Sequence, residues 1–499
     1  MGSRRGAVLA LLLALSSACG TTVPVTTTRT LGGTDGTVSS ATPGATVAGT
    51  TGGGAAAGTS SGGAASSGTA TTSGSGSASG TGGTSGAGAT GGSGAAPPPV
   101  TDRSPLTIGV TYINNDATSQ ALGVNDGTTA SKQNVVRALI RGINLQGGLA
   151  GRKLKVVEYE WNSQGNNWSA DATAACTRFT QDNHVAVVLD NAFGTTGGFR
   201  DCLAKKGVLS VQNGPEGDSV SSTSARLHAN TYNLTADRTY VAVLDGLAAT
   251  RYLSRSSRVG VIIESCTETN RAWSRSVQPR LRQLVTAAPK VATVQCTGGF
   301  ADAGAAASAV SNDVLAFRSA GIDRVMFVSD NESVLLLLFA SAAGSQGYTP
   351  GYLLSSGAQA QGIRSQLPTN QQPQLHGVGQ LRFGDADGST LSAADARCRA
   401  LAHAGGVSTA SYADYGVLTF ECGPLLLLDA ALRATGGVAT APALAAAIEA
   451  LGSSFAGPGL VSGATTFSPT RHDGPSQVRV FGYVAGCTCI HYSGPTRPV

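Results

Sequence analysis

The chain has 499 residues, a formal charge of +5 from 34 Lys and Arg against 29 Asp and Glu, and only 5% aromatic residues. The basic residues form no cluster and aromatic residues are sparse, so nothing supports a nucleic-acid surface. Of the nine cysteines one ends the N-terminal apolar stretch, and the remaining even number favours disulfides in an exported protein.

Arg4 and Arg5 precede an apolar run, Ala7 to Leu15, which is too short to cross a bilayer as a mature helix. The following LSSAC, Leu15 to Cys19, resembles the lipobox of bacterial lipoproteins, with Ser16 where that box usually carries a large aliphatic residue. The resemblance implies that residues 1–19 are a lipoprotein signal and that Cys19 is acylated. Export with Cys19 lost or unmodified is the alternative. The twin arginines lack the aromatic residue of a folded-export motif.

Gly20 to Val100 is almost wholly Gly, Ser, Thr, Ala and Pro, with Arg29 and Asp35 as its only charges. Such a stretch cannot bury enough apolar area to offset its ordering entropy, so 20–104 is expected to be a disordered linker. As a flexible coil it would hold the folded part on the order of 50 Å from an anchor at Cys19.

From Leu106 the pattern alternates between strands and helices. LTIGVTYI, Leu106 to Ile113, is β-rich; Val135, Val136, Leu139, Ile140 and Ile143 then fall at helical spacing. Gly147 and Gly148 stop that helix, and KLKVVEYE, Lys153 to Glu160, resumes as a strand. HVAVVLD (His184 to Asp190) and GVLSVQ (Gly207 to Gln212) extend the series. A long helix is expected within Asn233 to Leu253. A second series then begins with RVGVIIE (Arg258 to Glu264), VATVQ (Val291 to Gln295), DRVMFVSD (Asp323 to Asp330) and GYLLSS (Gly351 to Ser356). Two such series imply two doubly wound parallel-sheet α/β lobes. The expected division is lobe 1 over 105–235, lobe 2 over 236–375, and returning segments with a C-terminal part over 376–499. LLLLF (Leu335 to Phe339) and LLLLD (Leu425 to Asp429) are core-sized, not membrane spans.

Cys176 with Cys202, Cys266 with Cys296, and Cys398 with Cys422 are the candidate local disulfide pairs. A bond between Cys487 and Cys489 would be strained, so pairing elsewhere stays open. CTCIH, Cys487 to His491, has no second ligand pair, and no metal site is expected.

RALIRGINLQGGLAGRKLKVVEYE, Arg137 to Glu160, resembles an early helix-turn-strand of the type I periplasmic binding proteins. The closest resemblance is to the branched-chain amino-acid receptors of ABC transporters. FSPTRHDGPSQVRVFGYVAG, Phe467 to Gly486, resembles a late stretch of actinobacterial members. The resemblance implies two lobes joined by three crossing segments and a hinge, closing on a small molecule. It also implies hand-over to an ABC permease at the membrane. The chain is then expected on the extracytoplasmic face, held by its lipid alone, as a monomer without cofactor.

In parallel sheets the loops leaving the carboxyl ends of strands gather at one rim. On the first lobe these ends carry Asn114, Asn115, DNAFGTTGG (Asp190 to Gly198) and QNGPEG (Gln212 to Gly217). Asn191, Thr195, Thr196, Gln212 and Asn213 are candidate contacts, the threonines as N-caps, as donors to a ligand carboxylate, or both. On the second lobe Glu264 and SDNE, Ser329 to Glu332, end strands. A ligand ammonium calls for a carboxylate with aromatic walls. Glu264, Asp330 and Glu332 are candidates for the first, with Asn331 beside them; Tyr232 and Trp273 are candidates for the walls. No nucleophile elbow, metal-spaced histidines or Ser-x-x-Lys partner for SDN occurs in the folded part, so no catalytic residue is expected. A surface sensor that kept the fold, or an α/β enzyme, are the competing readings.

Overall fold

The computed structural model describes residues 99–114, 116, 128–162, 167–192, 198–214, 216–220, 226–296, 303–382, 391–408 and 412–499. Cys19, the signal and linker expectations up to residue 98, Asn115, Thr195 and Thr196 lie outside these residues.

In the first lobe β1 (Leu106–Asn114), β2 (Leu154–Asn162), β3 (Val187–Asp190), β4 (Leu209–Gln212) and β5 (His228–Asn230) form a sheet in the order β2-β1-β3-β4-β5. All its pairings are parallel, and β1 is the point from which the chain winds both ways. Helix α1 (Thr129–Leu145) buries Val135, Val136, Leu139, Ile140 and Ile143, the stripe expected from their spacing. Helices α2 (Trp168–Thr177) and α3 (Phe199–Lys205) cover the other face, joined by the Cys176–Cys202 disulfide.

The glycine-rich junction after α1 has a specific geometry. Leu149 and Arg152 exchange both backbone hydrogen bonds around Ala150 and Gly151, whose φ values are 44° and 81°. Two successive left-handed residues make the turn type that matches strand twist. Ala150 tolerates this conformation because its N–H donates to Asp429 Oδ1 at 2.9 Å. Asn144 locks the helix end to β2: its Nδ2 donates to the Leu154 carbonyl and its Oδ1 accepts from the Leu154 N–H. Gly148 could carry no side chain, since a Cβ there would lie 2.1 Å from the Arg152 carbonyl oxygen.

The second lobe begins at α4 (Ala236–Ala249) and continues through β6 (Val259–Glu264), α5 (Thr267–Ala272), α6 (Gln278–Leu284) and β7 (Lys290–Val294). It goes on through α7 (Ala303–Ser319), β8 (Arg324–Val328), α8 (Glu332–Ser345), β9 (Gly351–Leu354) and β10 (Leu375–Gly379). Three helices follow, α9 (Ala393–Ala404), α10 (Tyr412–Ala434) and α11 (Ala441–Leu451), before the closing hairpin of β11 (Gln477–Val484) and β12 (Cys489–Pro498). The second sheet runs β12-β11-β10-β9-β8-β6-β7. Its five strands β6 to β10 pair in parallel, and the hairpin adds an antiparallel edge.

The lobe to which each part of 376–499 belongs, left open by the sequence, follows from the packing. Leu401, Leu418, Leu425, Leu428, Leu444 and Ile448 of α9 to α11 share one core with Ile108, Val110, Val187 and Val211 of the first sheet. Residues 391–451 therefore belong to the first lobe, and β11 with β12 to the second. Cys398–Cys422 ties α9 to α10, and Cys266–Cys296 ties the loops after β6 and β7. Cys487 and Cys489 are bonded to each other, the pairing that the sequence left open. The hairpin tip, with Thr488 at φ 49°, brings their Cα atoms to 5.1 Å.

Helices α1 and α9 cross closely enough to exclude a methyl group. A Cβ on Gly142 would meet the Leu401 carbonyl oxygen at 2.0 Å, and one on Gly405 would meet that of Ala138 at 1.9 Å. Both obstructions are backbone, so a whole helix must shift. Gly142→Ala is expected to cost about 1–3 kcal/mol or more in urea unfolding, the price of an overpacked contact. Gly362→Ala, in open space, should cost nothing comparable.

Candidate functional site

Three crossing segments connect the lobes. The first is Thr231 to Thr235; the second starts at Gln380, whose Nε2 donates to the Tyr232 carbonyl; the third contains Gly459, Leu460, Val461 and Asp473. Arg382 N–H donates to the Gly459 carbonyl and Val461 N–H to that of Gln380, while Asp473 Oδ2 accepts from Thr235 N–H at 3.0 Å. Around this waist the carboxyl-end rims of the two sheets face each other. Arg271 of α5 reaches across to Asp218, in the loop after β4, at 3.0 Å, and Ser219 Oγ donates to Asp237 of α4 at 2.6 Å.

On the first-lobe rim the polar side chains are bonded into one network. Asp190, fully buried at the end of β3, accepts from Thr111 Oγ1 at 2.8 Å, and the same hydroxyl receives the Asn191 N–H. Asn191 Oδ1 accepts from Asn213 Nδ2 at 3.0 Å, and Asn213 Nδ2 also donates to the Phe420 carbonyl. Asn233 Nδ2 closes on the Asn213 carbonyl at 2.6 Å. The structure thus brings Asn191 and Asn213 together. Gln212 is buried in β4, and Asn114 turns to Glu160 at 2.7 Å.

Glu421 of α10 joins this network without having been singled out in the sequence. It is 2% exposed; Asn191 Nδ2 donates to its Oε2 at 2.5 Å, while its buried Oε1 has no hydrogen-bond partner among the described residues. Burial pushes its carboxyl up to about 8, against the opposing influence of Lys132 and the Asn191 bond. FEC, Phe420 to Cys422, lies in an apolar helix where an acid is out of place, the one signal that could have marked it. A raised acid stabilises most below its unfolded pKa of about 4.3 and loses that contribution as pH rises through the folded value. Glu421→Gln is therefore expected to match the native protein near pH 5. At pH 9 it should melt higher by roughly 2–4 °C, read from melting curves across that range.

On the second-lobe rim Glu264 accepts from Ser329 Oγ at 2.6 Å and from Asn331 Nδ2 at 3.1 Å. Ser329 Oγ in turn receives the Asn331 N–H, which fixes the turn carrying Asp330. Glu332 points inward instead: it is 1% exposed, binds the Ser355 N–H at 2.9 Å and the Ser355 hydroxyl, and burial raises it to about 7. Asp330 differs from both. Its surface is exposed, yet desolvation is the largest cause raising its carboxyl to about 7, followed by Glu264, Glu268 and, from the first lobe, Glu216. The charges acting on it come from both lobes, Glu264 and Glu268 from the second and Glu216 from the first.

The aromatic candidates are packed rather than presented. Tyr232 is 3% exposed at the waist, edge-on to Phe420 with centroids 5.1 Å apart and beside Leu381 and Leu460. Trp273 lies in the second-lobe core with Tyr240 and Val277. Glu264, Cys266 and Cys296 come together at ligand spacing, but the two sulfurs are bonded to each other and offer no thiolate.

Two α/β lobes on a three-segment waist, with polar rims facing, are the architecture of a receptor that closes on a solute. The sequence profile described as periplasmic binding protein matches residues 120–487, and the chain belongs to that family, with the fold of its type I members. A possible leucine/isoleucine/valine-binding protein from Rhodopirellula baltica SH 1 is similar at 15% identity and TM-score 0.58, over 80% of this chain and 98% of that one. An ABC transporter solute-binding protein from R. palustris in complex with 4-hydroxybenzoate is similar at 14% identity and TM-score 0.55, over 79% and 97%. A fatty acid ABC transporter substrate-binding protein from Thermomonospora curvata is similar at 14% and 0.56, over 82% and 97%. No curated protein matches the chain. Family and fold are those of solute-binding proteins rather than enzymes. Among the described residues no helix is long and apolar enough to cross a membrane.

Proposed function

We propose that this chain is the extracytoplasmic receptor of an ABC transporter and closes its lobes on an amino acid or a related compound bearing an ammonium group. The observation that carries the ligand class is Asp330, an exposed acid under the influence of carboxylates from both lobes, beside the hydrogen-bonded Glu264–Ser329–Asn331 support. Asn191 and Asn213 supply polar groups on the facing rim for the ligand's other end. The similar proteins named for leucine/isoleucine/valine agree with this class, whereas those named for fatty acid or bound to 4-hydroxybenzoate define the competing carboxylate-only class. Acylation of Cys19 and the Gly/Ser/Thr/Ala-rich stretch after it would tether the receptor to the membrane within reach of its permease.

A melting screen of amino acids, their amides and small organic acids tests the reading. A true ligand at one hundred times its Kd should add about 2.7 kcal/mol to stability. No shift from any of these compounds would overturn it. The pH dependence separates the two classes: an ammonium ligand gains affinity as pH rises through 7 and Asp330 ionises, while a carboxylate-only ligand loses it.

A further inference from the structure

The disulfide at the tip of the last hairpin differs from the other three in what it can hold together. Cys176–Cys202, Cys266–Cys296 and Cys398–Cys422 span 26, 30 and 24 residues and join separate elements. Cys487–Cys489 spans 2 and joins one turn to itself. Closing so short a loop removes little entropy from the unfolded chain, so the bond is a poor staple. The hairpin is already fixed by its ladder: Val484 pairs with Cys489 and Tyr483 with Ile490, and Ile490 N–H donates to Gln361.

The two sulfurs are also unequally placed. Cys487 is exposed, as are its neighbours from Val484 to Thr488, while Cys489 is 7% exposed. The tip points away from the ligand cleft. Strand β11 runs antiparallel to β10, so Arg479 pairs with Gly379 at the cleft end and Gly482 with His376 further off, and the turn beyond Val484 lies further still. Strand β12 is the outer edge of the sheet, and among the described residues no further strand covers this corner.

We propose that Cys487–Cys489 is a thiol–disulfide exchange site that oxidises a dithiol partner, independently of solute binding. A thiolate of the incoming dithiol attacks the accessible Cys487 sulfur. The Cys487–Cys489 bond breaks, and Cys489 leaves as a thiolate and takes up a proton. The partner's second thiolate then attacks the mixed disulfide, forms the partner's own disulfide and releases Cys487 as a thiolate, which is protonated in turn. One dithiol loses two electrons and two protons, and the hairpin gains them. Exposure of one sulfur and a closed loop too short to stabilise the fold are the marks of a labile disulfide rather than a structural one.

The test equilibrates the intact protein in glutathione buffers of graded ratio, quenches with acid, alkylates, and locates reduced cysteines by peptide mass spectrometry. Cys487 and Cys489 are expected to be half reduced in a buffer at least tenfold more oxidising than the one that opens any other pair, with the solvent-facing Cys266–Cys296 bond as internal control. With a reduced Cys-x-x-Cys peptide as probe, Cys489→Ser is expected to be inert and the native chain to oxidise one equivalent. The double variant Cys487→Ser with Cys489→Ser should melt within roughly 1 °C of the native protein. Reduction of this pair together with or after the others, or a loss of several degrees in the double variant, would show a structural staple and overturn the proposal.

Discussion

Glu216→Ala is expected to destabilise the protein by about 3–5 kcal/mol, measured by urea unfolding at neutral pH, because it leaves a buried charge without its partner. The carboxylate of Glu216 accepts from Arg200 Nη1 at 2.7 Å and contacts His228 Nε2 at 2.6 Å, and Asn230 Nδ2 donates to it at 3.2 Å. Glu216 and His228 side chains are fully buried and that of Arg200 is 5% exposed. Burial alone would raise Glu216, but His228 and Arg200 outweigh it and hold the carboxyl at about 2. Burial is the largest influence lowering His228, against the opposing pull of Glu216. Arg200, which cannot lose its proton, is then the charge that Glu216 neutralises.

The cost should come from the orphaned guanidinium more than from the lost contact, and a second substitution separates the two. Arg200→Met combined with Glu216→Leu is expected to recover most of the stability lost in Glu216→Ala, since well-packed apolar groups can replace a buried pair. The pH dependence has the opposite sign to that of Glu421. A depressed acid stabilises above its unfolded pKa of about 4.3 and loses that contribution as pH falls toward the folded value. Native protein should therefore lose stability on acidification toward pH 2 through Glu216, and on alkalinisation toward pH 8 through Glu421. The two variants should each flatten one side of the profile.

The second large effect concerns affinity. Asp330→Asn is expected to weaken binding of an ammonium ligand about 10–100-fold, the worth of one charge-assisted hydrogen bond, while the ligand-free variant, like Glu421→Gln, melts no lower than the native protein and higher above pH 7. It should also abolish the rise in affinity between pH 6 and 8. Calorimetric titration of the screened ligand at several pH values reads both. Glu264→Gln should weaken binding less and without removing the pH dependence, because Glu264 is already engaged by Ser329 and Asn331 and acts by holding the Asp330 turn. Unchanged affinity in Asp330→Asn would place the ammonium elsewhere or exclude it.

Much of the architecture could be read before any coordinates. Strand and helix alternation follows from local periodicity, which is why β1, α1, β2 and β6 occupy the stretches where their apolar patterns place them. The motif from Gly142 to Arg152 was legible as a junction, though its two functions, helix crossing at Gly142 and a left-handed turn at Ala150 and Gly151, required the neighbours that constrain them. The candidate site was half legible. Strand ends identified Asn191, Asn213, Glu264 and Asp330 as rim residues, but Tyr232 and Trp273 turned out to be packed inside, since an aromatic near a rim carries no local mark of which way it faces.

What the sequence by itself determined is local: where each element starts and stops, which faces are apolar, and which polar residues sit at strand ends, because these depend on spacing within one segment. Only the tertiary structure decided that α9 to α11 complete the first lobe, that Glu421 reaches Asn191 from 230 residues away, and that Asp330 feels the charge of Glu216 from the other lobe. An amphipathic helix declares that it must bury a face, not against which sheet, and a carboxyl acquires its charge state from whatever the fold places around it.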